Sequence, residues 1–314
     1  MSMIHIPVML KEVIDNLQVK KGDFCIDGTL GAMGYTSQLL KEVGKEGKVL
    51  SLDLDEKAIA EANKIKVEKN LDNLIIEHSN FKNIKEVVEK HFSLQQKFNC
   101  IVVDLGLSSD QLRDEERSFS FQSDAPLDMA FSREELNDTQ RIINSYSQRE
   151  LERIIKDYGE ERFAKSISSN IVKARKEKAI KSGKDLQNLI AKTVPTRFWP
   201  KNVNVATKTF QALRIATNEE LQNLEEFLPQ AIELLKPQGR LAVLSFHSLE
   251  DAIVKHYFKK EAKDCICPPE VPICVCGHKA KIQIIKPKGI TASEEELKIN
   301  PRARSARLRI VEKI

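Results

Sequence analysis

The stretch Phe-Cys-Ile-Asp-Gly-Thr-Leu-Gly-Ala-Met-Gly-Tyr-Thr-Ser, residues 24–37, sets the fold class of this chain. Phe24-Cys25-Ile26 is a short apolar run that predicts a buried strand, and residues 36–43 carry helical periodicity. Between them, an acid and three glycines form a strand-to-helix loop that a ligand can lie against. The same alternation continues downstream. Strands are predicted at 48–53, 74–79 and 98–105, with helices at 56–68 and 83–91 between them. Near-continuous apolar strands separated by helices predict a parallel sheet covered on both faces.

The alternation then breaks. Residues 113–131 are polar and irregular, and helices are predicted at 133–145, 147–157, 160–178 and 184–193 without a strand among them. Pro195-Thr-Arg-Phe-Trp-Pro200 ends that block. A helix follows at 206–216, and Thr217 with Glu220 reads as a capping box for the next helix, which runs to about Leu235. After a turn at Pro237-Gln238-Gly239 the strand pattern resumes at 240–246, and an antiparallel edge pair is predicted at 282–286 and 306–312. The expected architecture is α/β, one sheet domain formed by 1–112 and 206–314, with an all-helical insertion at 113–205.

Composition bounds the function. The 314 residues are 41% hydrophobic and 31% charged, and no run of about 18 apolar residues predicts a membrane span. Residues 1–7 lack the basic flank and apolar core of a signal peptide, so a cytoplasmic location and no membrane partner are expected. The net charge of +4 says little, but basic residues cluster. From Arg162 to Lys184 there are eight basic residues and one acid, Glu177, and from Pro301 to Arg309 four arginines and no acid. Either cluster can meet a polyanion or be a solvated face. Cys25 and Cys100 lie in apolar strands and read as small buried hydrophobes. Cys265, Cys267, Cys274 and Cys276 could hold a zinc in a reducing compartment, with Pro268, Pro269 and Pro272 stiffening the loop. The spacing is C-x-C, and a reduced surface loop or a redox-labile pair reads the same segment equally well, so no metal ligand is assigned.

In an open α/β sheet, ligands bind at the carboxyl ends of the strands. Asp27, Asp53 and Asp104 end the first, second and fourth predicted strands. Asp53 stands where an acid would receive ribose hydroxyls, which both NAD and S-adenosylmethionine carry. Asp27 stands where a pyrophosphate would approach and would repel it. S-adenosylmethionine has no phosphate, and its ammonium suits a carboxylate. The loop therefore favours the methyl donor over NAD, with a Gly-rich turn that binds nothing as the remaining alternative. Asp104, which opens Asp-Leu-Gly-Leu-Ser-Ser-Asp-Gln-Leu, could accept hydrogen bonds from an exocyclic base amine and so aim its nitrogen; as a lone acid it could equally cap a turn.

Several longer stretches resemble one family: HIPVML (5–10), IDGTLG (26–31), DLGLSSDQL (104–112), SFSFQSDAPLDM (118–129), YGEERFAKSI (158–167), TFQALRIATNEEL (209–221), SFHSLED (245–251) and NPRARSARLR (300–309). They resemble the bacterial ribosomal RNA small subunit methyltransferase H family nearly end to end. The resemblance implies a class I methyltransferase Rossmann-like sheet with an inserted helical domain that recognises RNA. It implies S-adenosylmethionine as cofactor and methylation of a cytidine N4 amine in the decoding region of 16S rRNA, with the small ribosomal subunit as partner and no DNA. It places Met33, Gly34, Tyr35, Asp53, Phe81, Asp104 and Gln111 at the donor, Asp104 and Asp128 at the chemistry, and Arg302 and Arg304 near the target cytidine. Two departures stand out. The family loop usually has a glycine where Met33 stands and a histidine where Tyr35 stands, and Ala130 replaces an arginine after Pro-Leu-Asp-Met. They motivate an alternative: a ribosome-assembly RNA-binding factor of the same fold with weak or lost transfer activity.

Overall fold

In the computed structural model, residues 7–93, 95–106, 125–131, 139–201, 203–271 and 273–314 are described. The chain divides into two units, residues 1–106 with 221–314, and residues 107–220.

The first unit is built on an eight-stranded sheet. Its parallel strands are β1 (Phe24–Asp27), β2 (Lys48–Asp53), β3 (Leu74–His78), β4 (Phe98–Asp104) and β5 (Leu235–Ser245). Short strands β6 (Ile282–Ile284) and β7 (Ile290–Thr291) and the terminal β8 (Arg307–Lys313) complete it. The order is β3-β2-β1-β4-β5-β8-β6, with β7 also on β8, and β8 runs antiparallel to β5. Successive residues of each strand face opposite sides. Ile26, Leu50, Leu52, Ile101 and Val243 pack on one side, with Ile84 and Val87 of α4 (Ile84–His91) and Phe227 and Leu228 of the later helix Glu220–Leu234. Cys25, Val49, Cys100, Val102 and Leu244 pack on the other, with Val13 of α1 (Leu10–Leu17), Leu39 of α2 (Gly34–Val43) and Ala62 of α3 (Glu56–Glu68). Both faces are dry, which is why these strands read as unbroken apolar runs. Cys25 and Cys100 are cross-strand partners with no exposure.

The second unit has its own core, with Ile142 and Ile143 from α5 (Thr139–Ser145), Leu151 and Ile155 from α6 (Gln148–Asp157), and Ile167 and Ile171 from α7 (Ala164–Glu177). Leu186 and Ile190 of α8 (Gly183–Thr193) and Phe210 and Leu213 of α9 (Thr207–Asn218) close it. The division falls later than the expected 205/206 because α9 packs on α6.

The capping box expected at Thr217 and Glu220 is not formed. Thr217 lies inside α9, and its hydroxyl pairs with Thr139 at 2.9 Å. The Glu220 carboxylate instead takes both guanidinium nitrogens of Arg214, at 2.8 Å each. A bidentate charged pair outbids a neutral cap. The expected turn at 237–239 is a bulge within β5, where the register to β4 shifts and Gln238 takes a φ of 64°. Helices α1, Ser248–Glu261 and Glu294–Ile299 are elements the sequence pattern did not indicate. No helix among the described residues is long and apolar enough to cross a membrane.

The start of α2 is fixed by the segment before α1. A Cβ on Gly34 would stand 2.1 Å from Pro7 Cγ, and Pro7 is a buried, rigid ring. Gly34→Ala should therefore destabilise the fold by about 1–3 kcal/mol through overpacking, although alanine is the better helix former by about 1 kcal/mol. Chemical denaturation of wild type and variant measures the difference; a variant as stable as wild type contradicts the packing argument.

Candidate active site

The three strand-end acids meet the loops that follow them. Asp27 ends β1 and is fully buried. Its carboxylate accepts the Thr36 hydroxyl at 2.7 Å and the Thr29 N–H at 3.2 Å, and Thr36 in turn contacts the Ser51 hydroxyl at 2.8 Å. The carboxyl is thus turned under the start of α2. Burial pushes it up to about 7, with the Thr36 and Thr29 hydrogen bonds opposing and the charges of Asp53 and Asp104 adding to the rise.

Asp53 ends β2 and joins two loops. One carboxylate oxygen accepts the Gly31 N–H at 2.7 Å and the other the Asp55 N–H at 2.8 Å. Burial raises its proton affinity against those two donors. Asp104 ends β4. Its own N–H donates to Thr29 Oγ1 at 2.7 Å, and its Oδ1 accepts the Gly106 N–H at 3.2 Å. Burial pushes its carboxyl up to about 7, opposed by the Gly106 N–H and reinforced by Glu250.

Gly28 sits between these acids because a Cβ there would lie 2.6 Å from the Val103 side chain and 3.4 Å from Phe81 Cβ. Phe81 opens the 3-10 turn Phe81–Asn83 after β3 and packs edge-on to Phe227 at 5.3 Å. Beside it Asn80 is buried, its Oδ1 accepting the Lys82 N–H at 3.1 Å while its amide nitrogen has no hydrogen-bond partner.

Met33, Gly34 and Tyr35 begin α2, and their side chains do not line the loop. Met33 has a φ of 62°, in the left-handed region that favours glycine, and its side chain is buried in the core of the first unit. That backbone demand accounts for the glycine usual at this position. Tyr35 is buried in the same core, its hydroxyl donating to the Val8 carbonyl, and burial raises that hydroxyl's proton affinity well above a free phenol's. What this turn offers a ligand is backbone N–H groups with no intrahelical acceptor.

The structure therefore brings Met33, Gly34, Tyr35, Asp53, Phe81 and Asp104 to the carboxyl ends of β1–β4 in the first unit. Asp128 belongs to the second unit, where its Oδ1 accepts the Ala130 N–H at 3.0 Å. Gln111 lies outside the described residues. Of the four arginines at 301–309, two serve the fold. Arg309 is buried and binds both oxygens of Asp251 at 2.6 and 2.9 Å, and Arg307 lies 3.9 Å from the same carboxylate. Arg302 and Arg304 are exposed on the turn Pro301–Ser305. In the other basic cluster Arg175 is likewise spent, donating to the carbonyls of Ile143 and Tyr146.

Sequence reasoning gave no role to Asn80, Phe246 or Glu250. Glu250 is buried and accepts the Phe246 N–H at 2.7 Å, and the Phe246 ring would meet a Cβ on Gly106 at 2.7 Å. The only sequence signal for Phe246 and Glu250 was the stretch 245–251, in which no spacing points to β4, and Asn80 had none.

A doubly wound sheet with its last strand reversed, carrying acids at three adjacent strand ends around a Gly-rich loop, is the class I methyltransferase architecture, and the family to which the chain belongs makes it an S-adenosylmethionine-dependent methyltransferase. The chain belongs to the MraW methylase family, whose sequence profile matches residues 2–314. Among its relatives, the Ribosomal RNA small subunit methyltransferase H of Heliobacterium mobile is 45% identical over 314 residues, covering 100% of both chains. The protein of the same name from Clostridium botulinum (strain Loch Maree) is 43% identical over 314 residues, again covering 100% of each.

Asp27 makes a testable contribution to stability. Its folded value of about 7 lies above the ordinary 3.8, so the folded state holds a proton that the unfolded state has lost between those values. Stability therefore falls as pH rises through that window. Asp27→Asn should stabilise the protein at pH 8 by up to about 4 kcal/mol, and by less at pH 5. Urea denaturation at the two pH values gives the answer; an equal effect at both would contradict it.

Proposed function

We propose that this chain transfers the methyl group of S-adenosylmethionine to the exocyclic N4 amine of a cytidine in the decoding region of 16S ribosomal RNA, on the small ribosomal subunit. The observation that carries this reading is the placement of Asp104, a partly buried carboxyl at the end of β4 whose backbone is tied to the loop after β1 through Thr29 Oγ1 at 2.7 Å; burial also pushes that carboxyl up to about 7. The relatives' names supply the RNA, and the sequence resemblance supplies the base and the atom.

The residues fit the donor. Asp53 suits the ribose hydroxyls, Phe81 offers an aromatic neighbour for the adenine, and the unpartnered amide nitrogen of Asn80 offers it a buried donor. The free N–H groups at the start of α2 suit the carboxylate of the methionine end. When bound, S-adenosylmethionine supplies a methyl carbon on a sulfonium, a leaving group that needs no acid. The chain's task is to aim the amine. A cytosine amine shares its lone pair with the ring, and an acceptor on its N–H returns density to nitrogen. Asp104 is that acceptor, and with a value near neutrality it can also hold the proton the amine loses. For Asp128 the assignment to the chemistry rests on the sequence resemblance alone. The cytidine must leave its stack to be reached, which fits a single-stranded or opened site.

The helical unit carries a surface suited to such an RNA. Phe198 and Trp199 are 39% and 42% exposed. The guanidinium groups of Arg162 and Arg197 lie 4.9 and 4.8 Å from the Phe198 ring centre. Aromatic faces interleaved with cations suit unstacked bases and phosphates. With Met33 and Tyr35 turned into the core, the two loop departures give no reason for a binder that has lost turnover.

Four outcomes are expected. Asp104→Ala should slow transfer to small subunits from a strain lacking the gene by roughly a hundred- to a thousand-fold, and the wild-type single-turnover rate should rise with pH through about 7. Unchanged labelling in the variant refutes the role of Asp104. Asp53→Ala should weaken S-adenosylmethionine by roughly tenfold or more in calorimetry. Phe198→Ala should weaken subunit binding by about tenfold while leaving donor affinity alone; equal loss of both would count against an RNA surface there.

A further inference from the structure

Residues 264–280 leave the sheet between helix Ser248–Glu261 and β6 as a loop with no buried side chain among its described residues. Its base is pinned. The Lys281 N–H donates to the Glu261 carbonyl at 2.8 Å, the Lys281 ammonium meets the Glu261 carboxylate at 2.7 Å, and the Ala280 N–H donates to Asp264 Oδ1 at 3.3 Å. Beyond that base it has no apolar core. Ile273 and Val275 are 76% and 80% exposed. Yet the sulfurs of Cys265, Cys267, Cys274 and Cys276, two from each arm, all lie within 4.8 Å of one another.

We propose that these four cysteines form a tetrahedral zinc site, a structural cross-link that gives the loop its shape. Four sulfurs about 2.3 Å from a common zinc stand about 3.8 Å apart. Here Cys274 Sγ and Cys276 Sγ are 3.6 Å apart, and Cys276 Sγ and Cys265 Sγ are 3.9 Å apart. A disulfide needs about 2.05 Å, and all four cysteines are free.

The surroundings are those of thiolates. Backbone N–H groups of Ile266 and Cys267 donate to Cys276 and Cys265 sulfurs, both at 3.4 Å. Those of Val275 and His278 donate to Cys267 and Cys276, at 3.4 and 3.5 Å. Gly277, with a φ of 61°, turns the chain so that the His278 N–H faces back to Cys276. Such donors stabilise sulfur-bound metals from outside the ligand set. The His278 ring is engaged elsewhere, its Nε2 lying 3.2 Å from the Lys260 carbonyl, so the set is sulfur only. Four thiolates around one zinc keep a net negative charge. Lys259, Lys260 and Lys263 line the concavity that Cys265 and Cys267 share, and offset it. Sequence alone left zinc a little behind a reduced surface loop or a labile pair; the convergence of both C-x-C arms favours zinc.

The test uses the full chain without a polyhistidine tag, purified under reducing conditions. Elemental analysis should find about one equivalent of zinc per chain, and Cys265→Ser/Cys276→Ser should lose it while far-ultraviolet dichroism stays unchanged. Replacing zinc by cobalt(II) in the wild-type protein should give the intense visible bands of a tetrahedral thiolate site, a readout that does not depend on any variant folding. In the zinc-loaded protein the four thiols should react slowly with a disulfide reagent, and at once after chelation. Bound iron, a metal-free chain that fails to develop the cobalt bands, a disulfide within either C-x-C pair, or zinc retained by the double variant would each overturn the proposal.

Discussion

The carboxyl of Asp27, sealed beneath the start of α2, is the constraint on which the ligand end of this sheet depends. It is fully buried, and what it holds is short-range: the Thr36 hydroxyl from the helix, the Thr29 N–H from its own loop and, through Thr36, Ser51 of the neighbouring strand. A buried carboxyl is tolerated only when hydrogen-bonded, and these bonds fix where the helix can begin. From that fixed point the Gly31 N–H reaches Asp53, and Thr29 Oγ1 reaches the Asp104 N–H. The three acids are thus one connected arrangement rather than three independent ends, and the charges of Asp53 and Asp104 make that of Asp27 harder to form.

The two departures from the family loop become intelligible on the same terms. A glycine at position 33 would satisfy a left-handed backbone at no steric cost; a methionine accepts that strain, of order 1 kcal/mol, and returns a buried side chain to the core. Tyr35 extends the same trade, since its hydroxyl ties α2 to the segment before α1 through Val8. These substitutions shift stability between backbone and packing, with both side chains held in the core of the first unit.

The sheet was legible in the sequence because strands buried on both faces are nearly continuous apolar runs, so β1, β2 and β4 announce themselves. Asp53 and Asp104 were legible for the same reason: each is the first charged residue after such a run. The misreadings share a cause. Thr217 and Glu220 have the spacing of a capping box, yet Thr139 and Arg214 were nearer partners once the chain had folded. Arg309 looked like part of a cationic surface, and Asp251 had already claimed it. Glu250 and Asn80 could not be picked out, since what marks them is burial beside residues far away in the chain. Gly34 looked like room for a ligand and turned out to be room for Pro7.

The insertion has a consequence for how the protein is made. Strand β4 ends at Asp104 and its parallel neighbour β5 begins at Leu235, with the whole helical unit between them. On the ribosome, β1 to β4 emerge first and wait with one edge of β4 unpaired. Loop closure grows only slowly with length, by about 0.6 kcal/mol per doubling, so the thermodynamic burden of the insertion is small. The kinetic burden is larger, because a central pairing of such high sequence separation forms late. A helical unit with its own core can condense in the interval, and the half-built sheet is exposed to wrong partners until β5 arrives.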